Sequence, residues 1–135
     1  MTRHIVDELI EERAPRLAGS ALWPLARPAL HALLGYEKAR AMTEAAAPMS
    51  GRDALTYVDR LLDLRVDVTG ARNLPGSGAA VLVANHPTGI ADGFALYDAV
   101  APLRPDLVLY ANADACRVVP RIDEAIIPVE WIEAK

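Results

Sequence analysis

His86 and Asp92 have types and a spacing that suit joint chemistry, in the segment Asn85-His86-Pro87-Thr88-Gly89-Ile90-Ala91-Asp92-Gly93. A neutral imidazole accepts the proton that a hydroxyl or amine loses as it attacks a thioester carbonyl, an assistance of about 10²–10⁴-fold in rate. A neighbouring carboxylate fixes the imidazole tautomer and stabilises the imidazolium that forms. Asn85, Thr88, Gly89 and Gly93 are the candidate substrate-binding residues of the same segment, the glycines leaving room for a ligand or a close backbone approach. Plainer readings stand beside these. A histidine after a strand is often only a hydrogen-bonded loop residue. Asp92 in a first helical turn stabilises the helix dipole by about 0.3–1 kcal/mol without any catalytic role, and Thr88 suits an N-cap. One histidine and one carboxylate, with no further ligand at characteristic spacing, imply no metal.

The elements that must position these groups follow from periodicity. Ala79–Ala84 is a continuous apolar run, read as a strand buried on both faces, and it ends just before His86. Ala91–Val100 reads as the following helix, so the pair sits at a strand-to-helix turn, where α/β sheets gather functional groups. Unpaired N–H groups of the helix start are available there to an oxyanion or a phosphate. The alternating run Arg65–Thr69 predicts a half-exposed strand. Asp106–Tyr110 and Ala125–Ile132 predict two further strands, with Pro128 marking an edge or a bulge. A short helix is expected over Asn112–Val119. Strand and helix at these intervals imply an α/β fold with a partial, mostly parallel sheet flanked by helices.

A helical N-terminal region precedes that sheet. Thr2–Ala14 predicts an amphipathic helix capped by Thr2, stopped by Pro15, with Asp7, Glu8, Glu11 and Glu12 on its polar face. Arg16–Leu34 contains Pro24 and Pro28, so one undistorted helix is excluded, although Pro24 fits a first turn. That segment admits two readings: a helical hairpin packed on the domain, or an interfacial anchor whose Leu and Trp residues enter a headgroup boundary while Arg16 and Arg27 meet lipid phosphates. Tyr36–Ala47 predicts a helix. Ser50-Gly51-Arg52-Asp53 has capping-box spacing and opens a helix to Leu64, with Leu55, Val58, Leu61 and Leu62 on its buried face.

Composition narrows the partners. A net charge of −4 without a Lys/Arg stripe argues against nucleic acid. The single cysteine, Cys116, points to a reducing compartment and a small buried side chain. No apolar run reaches the roughly 20 residues of a membrane span, and no signal peptide is visible. The expected location is cytoplasmic, with peripheral attachment to the inner face of the cell membrane as a possibility. Arg117 and Arg121 admit contact with an acceptor or coenzyme phosphate, or plain salt bridges; Arg121 is carried as a candidate substrate-binding residue. Trp131 is expected to pack or to cover a sheet edge. Gly76-Ser77-Gly78 precedes a strand rather than a helix, which excludes a phosphate-binding glycine loop.

Val83-Ala84-Asn85-His86-Pro87-Thr88-Gly89-Ile90-Ala91-Asp92-Gly93 resembles the first motif of the PlsC-type glycerophosphate and lysophospholipid acyltransferases, most like their hemolysin-like and ornithine-lipid-type branch. Val68–Pro75 is similar to the family's lead-in to the first core strand. Ala111–Asp114 with Ile126–Glu130 is similar to its approach to the next. The resemblance spans roughly Leu64–Lys135. It implies His86 as general base and Asp92 as its orienting acid. It also implies an acyl-CoA or acyl-carrier-protein donor, a lysophospholipid, glycerol-phosphate or amino-lipid acceptor, and no cofactor. Two departures stand out. Five residues separate His86 from Asp92 where the common motif has four, a subfamily mark. The later Phe-Pro-Glu-Gly-like motif of the family has no counterpart here. The division implied is residues 1–63 as a helical, possibly membrane-contacting region and residues 64–135 as the first half of an acyltransferase α/β domain. Such a fragment is expected to be poorly active alone and to self-associate through an uncovered edge. A non-catalytic membrane-surface fragment and a thioester hydrolase remain as alternatives.

Overall fold

A computed structural model describes residues 4–130. The first helix, α1, runs Ile5–Arg13, with the His4 ring accepting the Val6 N–H at 3.3 Å. The expected cap, Thr2, lies outside the described residues, as do Trp131 and the end of the last predicted strand. Pro15 marks the break as expected and opens the single turn α2, Pro15–Ala18, where its missing N–H would be unpaired anyway.

The next helix, α3, is continuous over Trp23–Leu33 and takes in both prolines. Pro24 sits in its first turn. Pro28 lies inside and removes the donor that would reach the carbonyl four residues back, so the helix continues with one bond missing. Gly35, at φ +66°, turns the chain into α4, Tyr36–Ala46, which packs on α3. Trp23 is buried, whereas Leu22, Leu25 and Leu33 point outward.

Ser50 caps α5, Gly51–Leu62, reciprocally with Asp53: the Asp53 N–H donates to Oγ at 3.2 Å, and the hydroxyl donates to the carboxylate at 2.6 Å. This is the N-cap half of the predicted capping box, with the Asp53 carboxylate taking the Ser50 hydroxyl. Leu55 is buried and Val58 and Leu62 pack against the core, but Leu61 faces solvent, a correction to the expected face. A Cβ at Gly51 would lie 2.7 Å from the Arg121 carbonyl oxygen, so only glycine allows α5 to start against that turn.

Two predicted strands are absent. Arg65–Thr69 and Ala79–Ala84 form neither helix nor strand, and the second, expected to be buried on both faces, is exposed throughout. Val83 is 91% exposed. Strand structure depends on a hydrogen-bonded neighbour, and neither segment has one among the described residues. An apolar run supplies the side chains for burial but not the partner.

The remaining elements follow the predicted order: α6 at Ile90–Val100, β1 at Leu109–Asn112, α7 at Asp114–Val118 and β2 at Ile126–Val129. The strands pair in parallel, Leu109 opposite Ile126 and Ala111 opposite Pro128. Among the described residues this is a two-stranded sheet, so Pro128 lies on an edge as expected. The fold is therefore mixed helix and strand with a small parallel sheet. Its core joins Leu55 of α5, Phe94 and Tyr97 of α6, and Val119, Ile122 and Ile126 around the turn into β2. No helix among the described residues is long and apolar enough to cross a membrane.

Candidate active site

The chain reaches His86 along the extended segment that begins at Ala79, and Arg104 holds the start of that segment. Its guanidinium donates to the carbonyls of Pro75 at 2.9 Å and Gly78 at 2.8 Å, and to both carboxylate oxygens of Asp106 at 2.8 and 2.7 Å. Those bonds hold the Asp106 carboxyl down at about 2. Arg104 has no sequence signature for this role, because carbonyl oxygens are available on any residue. A cleft of about 370 Å³ at this point is lined by Leu74, Leu82, Leu107 and Val108 together with Arg104 and Asp106.

Gly89 then carries the turn into α6 at φ 70° and ψ −123°, a conformation that residues with a side chain rarely adopt. Nothing lies within 4 Å of where a Cβ would stand at Gly89 or Gly93, so both positions leave open space. Asp92 is the third residue of α6, and its carboxylate reaches back over the helix start. Oδ2 accepts the Thr88 N–H at 2.7 Å, and Oδ1 accepts the Thr88 hydroxyl at 2.7 Å. The Thr88 hydroxyl and then its N–H hold the Asp92 carboxyl below the usual range, with smaller help from His86 and the Gly89 backbone.

His86 Nδ1 stands 3.8 Å from Asp92 Oδ2. The two sequence candidates are thus neighbours, although the separation is longer than a hydrogen bond. With Nδ1 towards the carboxylate, Nε2 is the nitrogen left for a substrate proton. The ring is 63% exposed, and Asn85 beside it is exposed as well. Thr88 is engaged with Asp92 instead of standing free.

Arg121 is placed differently from the other candidates. It donates to Glu124 at 2.8 Å, and Glu124 accepts the Gly51 N–H, so these contacts lie at the start of α5 and not in the 85–93 loop. Arg117 joins α7 to α1 by bonds to Glu12 and Glu8 and contacts Asp114 at 3.3 Å. Both arginines take the salt-bridge reading.

A second polar cluster was not apparent from the sequence. Asp7, assigned to the solvent face of α1, is 7% exposed and accepts from Arg27 and from the Tyr36 hydroxyl, each at 3.0 Å. His31 stacks on Tyr36 with ring centres 4.0 Å apart, and its Nε2 lies 3.9 Å from Asp7. Burial, and then the bond to Asp7, push the Tyr36 hydroxyl above its ordinary value. The available signal was Arg27 and His31 at i, i+4 on one helix face.

No family model, curated protein or solved structure matches the chain.

Proposed function

We propose that this chain carries the His–Asp part of an acyltransferase. It would move a fatty acyl group from an acyl-CoA or acyl-carrier-protein thioester to a lysophospholipid, glycerol-phosphate or amino-lipid acceptor. The observation that carries this reading is the approach of His86 Nδ1 to Asp92 Oδ2, 3.8 Å, at the entrance of α6. The motif's resemblance to the PlsC-type enzymes supports the choice of reaction and an acyltransferase-like fold.

In this reading His86 Nε2 takes the proton of the acceptor hydroxyl or amine as that atom bonds to the thioester carbonyl carbon. Asp92 balances the imidazolium. Collapse of the tetrahedral adduct breaks the carbon–sulfur bond, and the imidazolium returns its proton to the departing thiolate. Gly89 and Gly93 leave the backbone open to the reactants, and the apolar part of the mixed cleft, Leu74, Leu82, Leu107 and Val108, offers a surface for an acyl chain. No metal or redox cofactor enters.

The acceptor's location suggests a cytoplasmic protein held at the membrane surface. Leu25 and Leu33 are 81% and 83% exposed on α3, and residues 13–36 contain no Asp or Glu; Arg13 and Arg27 are engaged by Asp114 and Asp7, so Arg16 is the cation on which this reading relies. Apolar side chains beside acid-free cationic sequence suit an anionic lipid surface. The buried Trp23 is not part of that face.

With a labelled thioester donor and the longest available reading frame, His86→Ala is expected to lose at least about a hundredfold in rate. Near-normal turnover would reject the base assignment. The exposure of His86 favours a second reading, hydrolysis, in which water replaces the acceptor. Free fatty acid without acylated lipid identifies that case. Binding to liposomes with neither product identifies a non-catalytic surface module.

A further inference from the structure

The Asp92 carboxylate is committed to Thr88, and the commitment has two unequal parts. The N–H bond to Oδ2 belongs to the backbone and satisfies an amide just before the helix, as the reaching side chain of a capping box does. It stabilises the helix start by itself. The hydroxyl bond to Oδ1 is a separate contact from a freely turning O–H, and the helix end does not require it. With both bonds made, Oδ2 stays 3.8 Å from His86 Nδ1, about 1 Å beyond a charge-assisted hydrogen bond.

We propose that Thr88 is a positioning residue whose hydroxyl, on Oδ1, fixes the orientation of the Asp92 carboxylate, so that Oδ2, still held by the Thr88 N–H, pivots to accept a hydrogen bond from His86 when the hydroxyl turns away. Its functional consequence rests on the acyltransferase reading: an acceptor oxygen that takes the Thr88 hydroxyl releases Asp92 to His86, arming the base when the acceptor is in place. This differs from direct substrate binding by a free Thr88. The charged group facing His86 is Asp92, from α6.

The test is the titration of the His86 ring by NMR in the full chain, its signals assigned with His86→Gln. Thr88→Val keeps the shape and the backbone N–H but removes the hydroxyl. It is expected to move the midpoint of the ring titration upward, because the released carboxylate turns to the imidazolium. Thr88→Ser should restore the wild-type midpoint. In an Asp92→Asn background, Thr88→Val should move nothing. An unchanged midpoint in Thr88→Val would overturn the proposal, as would a shift that persists without the Asp92 charge. A purely structural Thr88 lowers the melting temperature and leaves the titration in place. These readouts require no transferase activity, so a failed His86→Ala rate test removes the reaction without deciding the role of Thr88.

Discussion

Two histidine–carboxylate pairs occur at nearly equal separation, in opposite surroundings. His31 lies 3.9 Å from Asp7 and His86 3.8 Å from Asp92. Asp7 is buried between α1, α3 and α4, with Arg27 and Tyr36 already bonded to it and His31 stacked on the Tyr36 ring. His86 is open to solvent, and its carboxylate is held by one neighbour that has a rotatable hydroxyl. Separation alone therefore does not distinguish a packing pair from one suited to proton transfer. Access, and the number of competing donors on the carboxylate, make the distinction. The first pair holds helices together, while the second has a ring nitrogen free for a substrate.

The strongest way to break that contrast is to remove each carboxylate. Asp7→Ala leaves Arg27 and the Tyr36 hydroxyl without their partner in a largely buried site, and should cost about 2–3 kcal/mol in urea unfolding, the partly solvated Arg27 moderating the loss. Asp92→Ala at the exposed site should cost clearly less, because solvent screens its contacts. Equal losses would mean that both pairs are structural.

Acid titration sharpens the comparison further. The Asp92 carboxyl is depressed when folded, so its contribution to stability is complete above the ordinary carboxylate value of 3.8 and is lost as pH falls through the lower folded value. In Thr88→Val the main cause is gone but the released carboxylate meets the His86 imidazolium, so the decisive variant is Thr88→Val with His86→Gln, in which the Asp92 carboxyl should titrate closer to 3.8, read from its side-chain carbon shift. No rise in that variant would remove Thr88 as the cause. The smallest effect is expected at Arg117, whose bonds to Glu12 and Glu8 join exposed groups. Arg117→Ala should shift the urea midpoint little, and less still in high salt. A large, salt-independent loss would place the joint between α1 and α7 among the buried contacts.

Much of the fold was legible where neighbours in sequence decide the outcome. Ser50 and Asp53 form their capping box because both groups lie within one turn. The break near Pro15 and the helix after Gly89 follow from the same short-range rules. His86 and Asp92 were legible as a pair because the helix start brings residues six apart within reach. Arg121 was not legible, since its partner Glu124 and the α5 start it serves meet only in the folded chain.

The sequence by itself determined the Ser50 cap, the order of α6, β1, α7 and β2, and the two side chains that meet at the α6 entrance. Tertiary structure alone decided that Asp7 and Trp23 are buried and that Ala79–Ala84 is exposed and unpaired. The physical reason is range. Caps and periodicity are satisfied within a few residues, whereas burial and strand pairing require a partner from elsewhere in the chain, and hydrogen-bond competition at a carboxylate depends on which donors the fold brings close.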